Sequence, residues 1–398
     1  MFASSSIVVL SLLSFLAQVS AIPAAPKNTT LNAPRKIGKR CTGEIQSLSD
    51  VAAAEECTTI VIGGFTVPAG ETFSLNPPDG AQVSLTGELT FGFKNWAGPL
   101  MEITGNDITF NGGGHDLNGQ GTLYWDGQGI SGGVTKPDPL LRINMGGTFS
   151  NVQVVNSPGR AVAIGGSSLT DTNPCTHHPA AGTAANSASG GKPAGANTDG
   201  FDVSANDVTI TGCTVNNQDD CLAINKGTSI TFSNNVCEGI GHGISIGSIT
   251  SGVTVSGVTI SGNTVTGTPS DRARLYYSVN GLRIKTDATA TGSVVENVVY
   301  ENNVVSGITE FGVLIDQSYP STLGTPGTGV VIEASRSFAQ NVSFEGTNTV
   351  SVASSAHAVE VNCGSTSSCT GTWNWSGLKA SGGSGSTIKN APVTGETL

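Results

Sequence analysis

Asn197-Thr198-Asp199-Gly200-Phe201-Asp202-Val203, Gln218-Asp219-Asp220-Cys221-Leu222-Ala223-Ile224, Gly241-His242-Gly243-Ile244-Ser245-Ile246 and Leu282-Arg283-Ile284-Lys285 all fall within residues 197–285 of the chain. Each segment contains a triplet with apolar ends, the alternation of a half-buried strand. When the triplets are aligned, Asp199, Asp220 and His242 each stand two residues before the first apolar position, at steps of 21 and 22 residues. Polar chemistry that returns at one phase of a regular step points to a coiled solenoid with a functional column along one face.

A second pattern recurs outside that stretch. Asn106–Gly112, Asn206–Gly212, Thr228–Asn234, Ser256–Gly262, Glu296–Asn302 and Gln340–Gly346 each set a short β-rich segment between polar or small residues. Alternation turns the apolar members inward, while Gly and Asn supply left-handed corner conformations. The other strand series runs through 201–203, 222–224, 244–246, 282–284 and 313–315. Short strands, turns of about 22 residues and no helices between them predict an all-β, single-domain right-handed parallel β-helix. An antiparallel sandwich does not account for functional residues at one repeat phase. The best helix candidate is 45–57, capped by Ser47 or Ser49 and rich in alanine, expected to plug the open N-terminal end. Two segments break the rhythm: a low-complexity loop at Gly166–Ala196 with little to form a rung, and an insertion at Thr268–Ser278. Past Gly377 the Gly/Ser-rich chain reads as a loose tail.

The whole chain has 398 residues, 54 of them Gly, with a formal net charge of −11. This length exceeds one ordinary compact core, yet no composition break divides it, which a fold that grows by adding rungs resolves. The first 40 residues hold five basic and no acidic residues, so removing them takes −11 to −16. Such a body argues against non-specific binding to nucleic acid or to an anionic membrane. Ile7–Val19 is largely apolar and shorter than a membrane span needs, and Gln18-Val19-Ser20-Ala21 offers a small-residue cleavage site. Residues 1–21 read as a signal peptide and 22–40 as a propeptide ending in Lys39-Arg40. The catalytic domain then occupies 41–398, and the protein is expected to be secreted. Eight cysteines suit that compartment. Cys41/Cys57, Cys221/Cys237 and Cys363/Cys369 are the local pairs, the 16-residue loops worth about 3 kcal/mol each. Cys175 and Cys213 either pair or stay free. Asn341-Val-Ser and Asn374-Trp-Ser are glycosylation acceptors. His177 and His178 read as solvated loop residues rather than metal ligands.

Stacked at the parallel-strand spacing of roughly 4.8 Å, Asp199, Asp202, Asp219 and Asp220 crowd one patch, with His242 one rung further on. Structure alone does not favour four acids on one surface. A Ca²⁺ site would welcome the carboxylates but gives no role to His242, Arg283 or Lys285. The two cations read better as a carboxylate-binding pair, beside acids whose mutual repulsion keeps one protonated. Paired carboxylates flanking a bond are the machinery of glycoside hydrolysis.

The motifs 197–199, 219–220, 241–243 and 283–285, in this order and spacing, resemble those of polygalacturonases, glycosidases of parallel β-helix fold that hydrolyse pectin. The likeness extends over most of 41–377, through Gly98-Pro99-Leu100, Gly119-Gln120-Gly121, Trp125-Asp126-Gly127 and Gly312–Tyr319. It implies Asp219 as general acid, Asp199 and Asp220 as the carboxylates that activate water with inversion, and His242 as the support for the acid. It further implies Arg283, Lys285, Tyr319 and Asn197 as substrate contacts, with no metal and no cofactor. Pectin or polygalacturonate is the expected substrate, plant polygalacturonase-inhibiting proteins are expected partners, and a monomer is expected. The open ends of the cleft favour endo over exo action. A Ca²⁺-dependent lyase and a catalytically impaired pectin-binding homologue are the rival readings.

Overall fold

A strand of three or four residues cannot satisfy its own backbone, so each must find partners a full turn away along the chain. The computed structural model describes residues 36–172, 176–178, 180–267, 279–333 and 342–396. Among these, 29 strands join in one continuous parallel network. Val162–Ile164 pairs with Phe201–Ser204, which pairs with Asp220–Ser233. His242–Ile249, Asn280–Asp287 and Phe311–Tyr319 follow in turn.

The register carries Val162, Phe201, Leu222, Ile244, Leu282 and Val313 onto one another, one per turn. Ile164, Val203, Ile224, Ile246, Ile284 and Ile315 form the adjoining file, and all twelve residues are at most 2% exposed. Each such side chain contributes about 1.5–3 kcal/mol by leaving water. The coil is right-handed, as right-twisted strands joined by parallel crossovers require. The middle residues of the triplets, Ala163, Asp202, Ala223, Ser245, Arg283 and Leu314, stack on the opposite face.

At one corner, Asn235, Asn263, Asn303 and Asn348 form a buried ladder. The amide oxygens of Asn263, Asn303 and Asn348 accept the backbone N–H of the asparagine one turn below at 2.9–3.0 Å, and that of Asn235 accepts the Cys213 N–H at 2.8 Å. Asn234 and Asn302, just ahead of two of these, take the left-handed conformation. The corner asparagines therefore divide two tasks: one bends the chain and the next satisfies its backbone.

Three expectations change. The N-terminal cap is smaller than 45–57: a strand at Lys39–Ile45, a 3-10 turn at Leu48–Asp50 and an α-helix of only Val51–Ala54. Cys57 already starts the next strand, bonded to Cys41, and the Glu56 carbonyl accepts the Lys39 N–H, so the helix must end early. Leu48 and Val51 still pack on the end of the core. Within 166–196, Leu169–Thr172 pairs with the strands Leu141–Val155 and Val208–Thr211, and Thr176–His178 with Leu141–Val155 and Thr214–Asn217. The segment thus supplies a rung before the chain loops out. The residues past Gly377 are not a loose tail either. Leu378–Gly382 and Ser386–Lys389 add parallel strands, and Leu378 is fully buried.

The pairs Cys41–Cys57, Cys221–Cys237 and Cys363–Cys369 are bonded as expected. Cys213 is disulfide-bonded and not a free thiol. Cys175, Asn341 and the 268–278 insertion lie outside the described residues. His177 and His178 lie in the Thr176–His178 strand.

Candidate active site

The parallel register makes the phase coincidence physical. Asp220 pairs directly with His242, and the backbone of Asp199 lies one rung below that of Asp220, joined by Gly200 N–H donating to Asp220 O at 2.9 Å. Asn280 continues the file, its amide nitrogen donating to Nδ1 of His242 at 3.1 Å. A carboxylate oxygen from each of Asp199, Asp219 and Asp220 lies within 4.8 Å of the others.

Asp220 is the most enclosed of the three, 1% exposed. Its Oδ1 accepts Arg283 Nη2 at 2.6 Å and the Ser245 hydroxyl at 2.8 Å, and its Oδ2 accepts Lys285 Nζ at 2.9 Å. Burial by itself would push its pKa up, but Arg283 and Lys285 outweigh burial and hold the carboxyl far below the usual range. Arg283 and Lys285 are therefore not simply free outward cations: both rest on Asp220. Lys285 also lies 5.5 Å from the centre of the Tyr319 ring.

Asp219 has the opposite environment. Burial, then the neighbouring Asp220 charge, push its pKa up to about 6. Its Oδ1 accepts the Asp220 N–H at 2.9 Å and its Oδ2 accepts Asn197 Nδ2 at 3.1 Å. Asn197 sits in the left-handed conformation, and its Oδ1 accepts the Ile130 N–H at 3.2 Å. The side chain expected to touch substrate thus also holds the acid. Asp199 is raised well above its ordinary value by burial and by Asp219, Asp202 and Asp220. Asp202 is pushed up to about 6, chiefly by burial, against the pull of Arg160. Burial and Arg283 drive His242 down to about 3, so the imidazole is neutral. With Nδ1 accepting from Asn280, its proton sits on Nε2.

Chemically, this is one carboxylate locked ionised beside two that hold protons. The three aspartates could in principle bridge a metal ion, yet cations already occupy both oxygens of Asp220. The residues surround a cleft of about 320 Å³ that also includes Ile130, Arg160, Asn225 and Tyr319. Two contributors escaped the motif reading. Asn280 and Arg160 stand two residues ahead of Leu282 and Val162, at the same phase as Asp199, Asp220 and His242. Extending the phase by one turn in each direction would have found both.

Known proteins resemble the chain over most of its length. The family described as "Glycosyl hydrolases family 28" matches residues 57–397. "Endopolygalacturonase I" of Aspergillus aculeatus is 36% identical over 376 residues, 92% of each chain. "Endo-polygalacturonase" of Sclerotinia sclerotiorum is 39% identical over 398 residues, 95% of each. Endopolygalacturonase I from Stereum purpureum, solved in complex with two galacturonate, superposes with a TM-score of 0.79 at 45% identity, over 89% of this chain and 98% of that one. The polygalacturonase from Erwinia carotovora, at 21% identity and TM-score 0.53, shares the fold. The chain belongs to glycosyl hydrolase family 28.

Proposed function

We propose that this chain is a secreted endo-polygalacturonase that hydrolyses α-1,4-galacturonosyl bonds. The observation that carries the reading is the split among three clustered aspartates: Asp220 ionised by Arg283 and Lys285, and Asp219 holding a proton up to about pH 6. Asp219 donates that proton to the glycosidic oxygen. Asp220, held ionised, orients the attacking water, and Asp199 in its ionised form takes the water's proton. Arg283, Lys285 and Tyr319 receive a galacturonate carboxylate, and neutral His242 with Asn197 keeps Asp219 aligned. The disulfides and the galacturonate-bound relative support the compartment and the substrate. Residues 1–21 then act as signal peptide and 22–40 as propeptide.

The nearest oxygens of the cluster are closer than the about 6.5–9.5 Å usual between carboxyl groups of inverting enzymes. Inversion therefore rests on the family likeness rather than on that spacing, and proton NMR of early product decides it: inversion of an α-linkage delivers the β-anomer first. The activity itself is tested with purified protein on polygalacturonate. Reducing ends must form without ultraviolet absorbance and regardless of chelator, with viscosity falling faster than reducing ends rise. Unsaturated, chelator-sensitive product would make the chain a lyase. Monomer release at constant viscosity would make it exo-acting.

A further inference from the structure

A polyanionic chain laid along the functional column presents a carboxylate on every sugar, whereas Arg283 and Lys285 serve only one end of the acid cluster. The other end also carries a cation. Arg160 stands at the column phase one turn before Asp199, its backbone adjoining that of Asp199 through Ala161 N–H donating to Asp199 O at 2.8 Å. Its guanidinium is built in rather than dangling. Nε donates to Asp138 at 3.1 and 3.0 Å, Nη2 donates to the same carboxylate, and the Arg160 N–H donates to Asp138 Oδ1 at 2.8 Å. This fork leaves Nη1 on the cleft side, 3.6 Å from Asp202 Oδ1, too long for a hydrogen bond. Asp202 Oδ2, beside it in the cleft, is buried and has no hydrogen-bond partner among the described residues. The side chain keeps about a third of its surface exposed, so a ligand can reach it.

We propose that Arg160 is a specificity-determining residue that binds the carboxylate of a galacturonate unit on the side of the acid cluster opposite Arg283 and Lys285. The proposal rests on the polygalacturonate reading above. The charged tips of Arg283 and Lys285 lie on the Asp220 rung, and that of Arg160 lies by Asp202 on the next rung. The rung separation of about 4.8 Å is of the order of one sugar unit, so two neighbouring carboxylates can each meet a cation with the scissile bond between them. Asp138 fixes the fork in advance, which lowers the entropy lost on binding.

The test compares wild type, Arg160→Gln and Arg160→Lys on polygalacturonate and on highly methyl-esterified pectin. Activity of the wild type on polygalacturonate is established first; its absence would overturn the functional reading rather than this one. Expected for Arg160→Gln is a KM on polygalacturonate raised about tenfold, kcat within about threefold, a KM on esterified pectin unchanged, and a weaker dependence of kcat/KM on salt. Arg160→Lys, which keeps the charge, should recover most of the KM. An unchanged KM, or an equal rise on both substrates, overturns the proposal. So does a loss of kcat and melting temperature that Arg160→Lys fails to repair, which would make Arg160 only the structural partner of Asp138. If Arg160→Gln does not fold, the Arg160→Lys pair of KM values and the salt dependence of the wild type decide.

Discussion

Asp219 and Asp220 are adjacent in sequence and opposite in chemistry, and single substitutions should separate them. Asp219→Asn removes the proton donor and keeps one acceptor oxygen, enough for either the Asp220 N–H or Asn197, which the carboxylate serves with separate oxygens. It should lower kcat by about 10²–10⁴ while the melting temperature moves little; substantial residual turnover would reassign the general acid. Asp220→Asn removes the counter-charge of Arg283 and Lys285, both nearly enclosed. Breaking a buried pair typically costs about 3–5 kcal/mol, so this variant should lose stability as well as activity, read by chemical denaturation. The pH dependence follows from the shifts. Asp219 and Asp202 bind protons more tightly folded, at about 6, than unfolded, at 3.8, and Asp199 is displaced in the same direction. Their stabilisation is complete below pH 3.8 and is lost as pH rises through about 6. His242, depressed to about 3 from 6.5, acts the other way over pH 6.5 to 3 and outweighs either Asp219 or Asp202 singly, but the three aspartates together outweigh it. Asp220 adds a loss only below pH 3.8. The melting temperature should therefore be higher near about pH 4.5 than at pH 7, with the difference reduced in Asp219→Asn, and activity should decline above about pH 6 as the acid ionises. A melting temperature that rises steadily toward neutral pH would contradict these assignments.

The elements matter because each rung must pass close to the next. Gly241 follows the strand Val236–Gly239 and leads into His242–Ile249, and a Cβ placed there would lie 2.1 Å from Asp219 O and 2.3 Å from Asp219 N. Gly241→Ala must push the backbone that carries the acid, so kcat should fall at least tenfold with a lowered melting temperature, both measured on the same preparation. A variant with wild-type kcat would show that the turn can shift without moving Asp219. The strand triplets are legible in the sequence because period-2 burial writes itself into residue type: Leu222, Ile224, Ile244 and Ile246 have no other reason to alternate. The helix expected over 45–57 shrinks to one turn, since the helix propensity of Ala52, Ala53 and Ala54 is weak beside the Cys41–Cys57 bond, which forces residue 57 into a strand. The strands Leu169–Thr172 and Thr176–His178 are not legible because they add few apolar residues of their own and are templated by Leu141–Val155, which is already in place. In the sequence the asparagine ladder shows only as corner chemistry, since its bonds join residues 28 to 45 positions apart.

The core of the solenoid runs the length of the coil, each rung covering the next, so its ends need closure. Leu378–Gly382 and Ser386–Lys389 close the C-terminal end by pairing with Asn348–Val352 and His357–Asn362. Ending the chain at Gly377 would open two strand edges and remove Leu378, itself fully buried, from the core. Such a truncation should express mostly as aggregate; a soluble monomer with an unchanged melting temperature would show that the last rung is dispensable. The repeat, its phase and the residue types at that phase are written in the chain, because a parallel β-helix maps a step along the chain directly onto a step up one face. From that came Asp199, Asp220 and His242 as neighbours and the fold as a coil. Which charges cancel is set by folding alone. Arg283 and Lys285 reach back two rungs to grip Asp220, Asn197 links Ile130 to Asp219, and Arg160 is held by Asp138. These contacts depend on side-chain reach and burial across several turns, and burial sets the strength of each charge. No spacing in the chain records either quantity, so two adjacent aspartates that read alike in sequence become an ionised carboxylate and a proton donor only in the folded molecule.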